Sequence, residues 1–224
     1  MIPMIDKRHI YGILIDTETC NTMNDPFCYD ISWQVIDTKG RMYESRSYAV
    51  YEVFDGMPEL METAYYTRKL PQYHEEIARG EKKLLYLYHI KQALRRDVET
   101  YNCKFICAHN ARFDYKSLNG TQRYLTCSRY RYFVPYGVEW WDTMKMAQDV
   151  ICQMPTYRKF CLDHGYVGKN GQLRKTAEIL YRFITKDTAF TETHKAIEDV
   201  DIERQIFAYC MRQHKKMRRK LWND

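Results

Sequence analysis

The sequence predicts an α/β protein built on a mixed β-sheet, three antiparallel strands followed by parallel strands, with helices on both faces. Three observations predict it. Two short apolar runs, residues 13–15 and 104–108, stop abruptly at polar residues, as buried strands of a covered sheet do. Between them, residues 30–37 alternate Ile31, Trp33 and Val35 with polar neighbours, and Asp37-Thr38-Lys39-Gly40 reads as a turn into a further strand over 42–50. From Met57 onwards the apolar period lengthens to that of helices.

The elements follow in order. Ile13, Leu14 and Ile15 form the first strand, and Asp16 and Glu18, two apart in extended chain, point together from its C-terminal end. Like charges so close repel unless a cation lies between them, although a strand that ends in a solvated acidic turn has the same composition. Residues 57–101 are helical, broken at Pro58, Pro71 and Gly80, with the longest piece over 82–101 carrying Leu84, Leu87, Tyr88, Lys91 and Leu94. His109 and Asn110 end the second buried strand, and a helix over 111–124 places Asp114 in its first turn. Residues 138–142 form the last strand. Asp142 caps a helix on which Met144, Ala147 and Ile151 share a face. Short helices over 158–164 and 176–185 precede a final one over 196–214 that buries Ala196, Val200, Ile206, Phe207 and Cys210. In such sheets ligands gather at the carboxyl ends of strands.

The length of 224 residues predicts a single domain over 1–224, with a core over about 9–210 and a basic end over 211–224. A composition of 45% hydrophobic and 29% charged residues excludes large-scale disorder. No stretch reaches the ~18 apolar residues of a membrane span, and the first residues lack an apolar region of signal-peptide length, so a cytoplasmic protein with no membrane partner is expected. Eight cysteines contain no Cys-x-x-Cys pair and no zinc-spaced cluster, and read as small buried hydrophobes. A net charge of +6 suits a polyanionic partner without requiring one.

Acidic residues stand at the edges of three elements: Asp16 with Glu18, Asp114, and Glu198, Asp199 and Asp201 in the last helix. Carboxylates without thiolates favour Mg²⁺ or Mn²⁺ over zinc, and a pair of such cations can generate an attacking hydroxide and stabilise a leaving oxygen in phosphoryl transfer. Spacing does not choose a base, because His109 precedes Asp114 by the same five positions as His194 precedes Asp199. Five positions on a continuous helix are separated by about 140°, so His194 would have to lie in the loop ahead of the last helix, where Thr188, Thr191 and Thr193 could form a lid.

Ile15-Asp16-Thr17-Glu18, then His109-Asn110-Ala111-Arg112-Phe113-Asp114, then His194-Lys195-Ala196-Ile197-Glu198-Asp199 resemble the three exonuclease motifs of the DEDD superfamily, His-type branch (DEDDh). That branch includes proofreading exonuclease subunits and domains, ribonuclease T and oligoribonuclease. The resemblance covers the chain from Gly12 to about Cys210, and the approach to the third motif is similar to that of small phage-encoded members, which would place the protein in a host cytoplasm. It implies a ribonuclease H-like fold. It further implies a 3′-5′ exonuclease releasing nucleoside 5′-monophosphates from nucleic acid with a free 3′ end, single-stranded DNA favoured over RNA, alone or beside a polymerase or other replication protein. By the same resemblance Asp16, Glu18 and Asp199 hold one divalent cation, Mg or Mn, while Asp16 and, through water, Asp114 hold a second. His194 is then the general base, an imidazole being able to take a proton at neutral pH, and His109 is structural. Thr17, Thr19 and Cys20 beside the first motif, and Asn110 and Phe113 beside the second, are the candidates for substrate contact. The alternatives are an exoribonuclease, or a catalytically silent binding or interaction protein on the same fold, against which the complete set of five motif residues argues. The histidine of the third motif argues against an endonuclease related to ribonuclease H.

Other features have plainer readings. Residues 122–132 interleave Arg123, Arg129 and Arg131 with aromatics, a composition suited to stacking bases and equally to a solvated loop. The basic stretch 212–220 reads as a solvated end that strengthens salt-sensitive binding, Trp140 and Trp141 as core, and Asp163-His164 as surface.

Overall fold

A computed structural model describes residues 5–6, 8–128, 131–192 and 194–222. Strands β1 (Tyr11–Thr22), β2 (Asp25–Asp37) and β3 (Met42–Val50) form the expected antiparallel meander, with Ile13 opposite Val35 and Trp33 opposite Arg46. After α1 (Tyr51–Phe54), α2 (Pro58–Met61), a 3-10 turn at Thr67–Lys69 and α3 (Leu70–Ala78) come β4 (Lys83–Leu85) and α4 (Leu87–Tyr101). Then β5 (Phe105–Ala108) and α5 (Arg112–Thr126) are followed by β6 (Glu139–Asp142), α6 (Thr143–Val150), α7 (Pro155–Asp163), α8 (Ala177–Thr185) and α9 (Ala196–Arg212). The strand order β4-β3-β2-β1-β5-β6, with β4, β5 and β6 parallel to their neighbours, is the mixed ribonuclease H-like sheet the sequence predicts.

The two-residue period of β1 sorts its side chains between two cores. Ile13 and Ile15 pack on the face covered by α4 and α5, together with Leu94, Leu118 and Trp33. Leu14 packs on the face covered by α6, α8 and α9, together with Val200, Ile206 and Phe207. Gly12 lets β1 approach β5, since a Cβ there would lie 2.3 Å from the Phe105 ring. Gly40, at φ +77°, turns β2 into β3 with its N–H donated to Asp37 O (2.9 Å), and a side chain there would strike Ala208 on α9.

Two expectations are corrected. Residues 82–85 do not begin a helix: Lys83–Leu85 is an edge strand beside β3. Lys82, 4% exposed, is held inside by an ion pair to Asp30 (2.7 Å) and a hydrogen bond to Ser47 (2.8 Å). That tertiary ion pair overrides the local helical period. The basic end is likewise not a free solvated segment. Arg218 pairs with Asp149 (2.7 Å), Lys220 with Glu139 (2.6 Å), and Leu221 is buried, its N–H bonded to Trp140 O. Trp140 is core as expected, and Trp141 stacks on Phe105 at 4.0 Å. Six of the eight free cysteines are buried, Cys127 is exposed and Cys152 half-buried. Among the described residues no helix is long and apolar enough to cross a membrane.

Candidate active site

The parallel pairing of β1 with β5 stops at Leu14–Cys107, while β1 runs on to Thr22 along β2. Past that point one edge of β1 is open, a crevice at the carboxyl ends of the parallel strands. Asp16 and Glu18 therefore lie inside a strand rather than at its end, opposite Ser32 and Asp30 of β2. They share the face toward α9, whose first turn carries Asp199. Carboxylate oxygens of Asp16, Glu18 and Asp199 all lie within 4.8 Å of one another. Thr17 points to the other face, and its hydroxyl donates to Asp114 Oδ1 (2.9 Å), fixing that carboxylate from the first turn of α5.

His194 lies in the loop before α9, in the left-handed region at φ +55°. The change of direction there brings it back over Asp199, so that Glu192, His194 and Asp199 form a second group with ligand atoms within 4.8 Å. The ring stacks on Tyr66 (centroids 4.1 Å apart, planes 10° apart), and its Nδ1 is 3.9 Å from Glu192. Lys195 ties the loop to α3 through Glu76 (2.5 Å). His109, by contrast, has both ring nitrogens committed to the fold. Its Nε2 meets Lys175 O at 2.8 Å and so carries the proton, since a carbonyl only accepts, and Nδ1 then accepts from the Thr143 hydroxyl (3.0 Å).

Burial and mutual repulsion raise the acidic groups together. Glu18 is pushed up to about 9 by burial, then by Asp199 and Asp30. Asp199 rises to about 8 by burial and Glu192, and Asp114 to about 7 by burial against the opposing Thr17 hydrogen bond. Asp16 stands well above the carboxylate range, through desolvation and then the charges of Glu203, Asp114, Glu18 and Asp199. His194 is shifted the other way, lowered by burial and then by the nearby Lys69 ammonium. None of the described ion pairs involves Asp16, Glu18, Asp114, Asp199 or Glu203. Asp199 Oδ1 is buried without a hydrogen-bond partner. An all-oxygen donor set with an orphaned carboxylate oxygen fits a hard divalent cation.

A cavity of about 570 Å³ contains these residues together with Thr17, Tyr66, Asn110 and Phe113. Of the substrate-contact candidates, Thr17, Asn110 and Phe113 line it; Thr19 and Cys20 are buried outside that lining, Cys20 against Phe27 O. Asp201 is turned away, paired with Arg204 (2.7 Å), and Glu198 lies 3.7 Å from Lys195 at the surface. Thr193, part of the expected lid, lies outside the described residues.

No protein-family model matches the sequence, and no curated protein does. Solved structures do. Exonuclease X in complex with 5′ overhanging duplex DNA matches at TM-score 0.50 and 17% identity over 90% of this chain and 92% of its own. Exonuclease I from Methylocaldum szegediense matches at TM-score 0.55 and 15% identity, and E. coli Exonuclease I in complex with a dT13 oligonucleotide at 0.51 and 13%. Each covers 92% of this chain, which spans 41% of either Exonuclease I chain. The chain shares with these exonucleases the ribonuclease H-like fold, a mixed six-stranded sheet covered by helices.

Three residues of the site escape the sequence reading. Glu203, 3% exposed, sits one turn after Asp199 and accepts the His109 N–H (3.0 Å), raised by burial and then by Asp114 and Asp199. Its signal is position: with Ile206, Phe207 and Cys210 it falls on the stripe that α9 buries. Glu192, raised to about 7 by burial and Glu178, and Tyr66 come from loops, where no period marks a facing side chain.

Proposed function

We propose that the protein is a DEDDh-type, metal-dependent 3′-5′ exonuclease acting on nucleic acid with a free 3′ end, single-stranded DNA in preference to RNA, and releasing nucleoside 5′-monophosphates. The observation that carries this reading is the convergence of Asp16, Glu18 and Asp199 from β1 and α9 on one point, with Asp114 across the strand and His194 above. The DNA in the Exonuclease X and E. coli Exonuclease I complexes supports a nucleic-acid substrate. We read the whole chain as one exonuclease domain of small phage-encoded type.

Asp16, Glu18 and Asp199 would hold one divalent cation, Mg or Mn, and Asp16 with Asp114 a second. When bound, the two cations supply a nucleophile at neutral pH and charge stabilisation of the leaving 3′ oxygen. Burial raises these carboxylates most, and the mutual repulsion that adds to it is the field that would draw cations in. His194, kept neutral by burial and Lys69, takes the proton of the attacking water, and stacking on Tyr66 fixes the plane in which it does so. Once charged, the imidazolium has Glu192 3.9 Å from its Nδ1, and the Glu178 carboxylate favours its charge. Thr17 holds Asp114 and Glu203 anchors the end of β5 to α9, so both position the site without entering the chemistry.

The test is a time course on single-stranded DNA labelled at its 5′ end, with Mg²⁺, Mn²⁺ or a chelator. A ladder shortening from the 3′ end only when metal is present supports the reading. Absence of product in every condition, or internal cuts appearing first, refutes it.

A further inference from the structure

A second cavity, of about 870 Å³, lies beside the first turns of α5, between α4 and the segment leading into β6. Phe133 and Trp140, both buried, form its floor, and Tyr132 and Tyr136, 58% and 106% exposed, stand at its rim. Large aromatic rings held in solvent cost the fold hydrophobic burial it could otherwise gain. The cations around it are unbalanced as well. Lys91 donates to Tyr132 O (2.5 Å), with Arg131 and Arg95 as its like-charged neighbours. Arg95 pairs with Glu99 (2.7 Å), but among the described residues neither Lys91 nor Arg131 makes an ion pair.

Helix α5 contributes residues to both cavities. Phe113 and Asp114 line the crevice, and the next residue, Tyr115, is a wall of the second cavity. Tyr115 meets Trp140 and the exposed Trp222 edge-on, each at 5.5 Å, and the Arg112 guanidinium lies 5.2 Å over the Trp222 ring. Trp140, Tyr115, Trp222 and the Arg112 guanidinium thus form a track of rings ending in a cation, which leads from the second cavity to the first turn of α5, where Phe113 and Asp114 stand.

We propose that this track is a second binding site for single-stranded nucleic acid, taking the strand upstream of the 3′ terminal nucleotide. Tyr132 and Tyr136 stack on bases, while Lys91 and Arg131 contact phosphates. Every base has a π-face, so such a platform grips a strand whatever its sequence. The strand's direction rests on the exonuclease reading of the catalytic crevice; the binding does not.

The experiment uses the full chain and its Tyr132→Ala/Tyr136→Ala variant, with labelled dT15 followed by fluorescence anisotropy in a chelator, and turnover of dT3 and dT15 in Mn²⁺. The variant should bind dT15 at least about tenfold more weakly, stacking being worth that much per base. It should raise KM for dT15 and leave dT3 turnover unchanged. A Lys91→Gln/Arg131→Gln variant should flatten the dependence of log affinity on log salt by roughly one to two, two phosphate contacts being lost. Equal dT15 affinity of wild type and both variants, no binding by wild type, or an equal loss on dT3 and dT15, would overturn the proposal. If wild type turns over neither oligonucleotide, the exonuclease reading fails while the anisotropy still decides the site.

Discussion

Replacing Asp199 by Asn should stabilise the metal-free protein at pH 8 while abolishing its response to metal. Asp199 is buried with one oxygen unpartnered, and its carboxyl is pushed up to about 8 by burial and by Glu192. An unfolded aspartate titrates near 3.9, so between about pH 4 and 8 the folded chain binds the extra proton. Stability from this group is then fully present below the unfolded pKa and is lost as pH rises through the folded one. At 1.36 kcal/mol per pK unit, the cost by pH 8 is at most ~5 kcal/mol. Asp16 and Glu18 repel Asp199 and share that cost, and a buried amide also loses hydration, so a net gain of about 2 kcal/mol is expected for Asp199→Asn. For a chain of this length that is roughly 4–8 °C in Tm. The assay is thermal melting by circular dichroism in a chelator at pH 5 and pH 8, then with Mn²⁺. The variant should melt higher at pH 8, by less at pH 5, and only wild type should gain on adding Mn²⁺. A variant that melts at or below wild type in the chelator at pH 8, or an equal gain from Mn²⁺ in both, would refute the reasoning.

His194→Ala should lower turnover by ~10²–10⁴ with little change in melting, while His109→Ala, which strands the Lys175 carbonyl, should cost ~1–3 kcal/mol of stability; the reverse pattern in paired kinetics and melts contradicts the assignment. Turnover should rise with pH through a midpoint below 6.5 if His194 is the base proposed above, since only the neutral ring takes a proton, and Lys69→Gln should move that midpoint to higher pH in log kcat/KM profiles. Lys82→Ala should destabilise by ~3–5 kcal/mol in urea titrations by leaving Asp30 buried and unpaired, with Asp30→Asn on that background recovering part of the loss.

What could be read from the sequence follows from how far each signal is local. Asp16, Glu18, Asp114 and Asp199 stand at the edges of apolar elements, where a solvated acidic turn has the same composition, and it is the order of the three motifs that picks them out before any contact is known. The place of His194 follows from helix geometry, since a continuous helix would turn it away from Asp199, and the positive φ just ahead of α9 meets that requirement. Glu203 passes for an ordinary helical glutamate until the face that α9 turns toward β1 is known. The edge strand β4 is three residues long and starts beside a lysine whose burial depends on Asp30, 52 positions away. Tyr66 reaches His194 from a short segment with no period, across 128 positions of chain. The arginines and tyrosines of 122–132 gain meaning only when Tyr132 and Arg131 meet Lys91 of α4; Arg129 and Tyr130 lie outside the described residues.

The central claim is that the carboxylates around Asp16 cut nucleic acid from a free 3′ end. Its most direct test is a linear and a covalently closed circular single strand of the same sequence, incubated with Mn²⁺ and wild-type or Asp16→Asn protein, with products identified by mass. Wild type should reduce the linear strand to nucleoside 5′-monophosphates and leave the circle whole, and Asp16→Asn should leave both. A cut circle, 3′-monophosphate products, or activity surviving in Asp16→Asn would contradict the account.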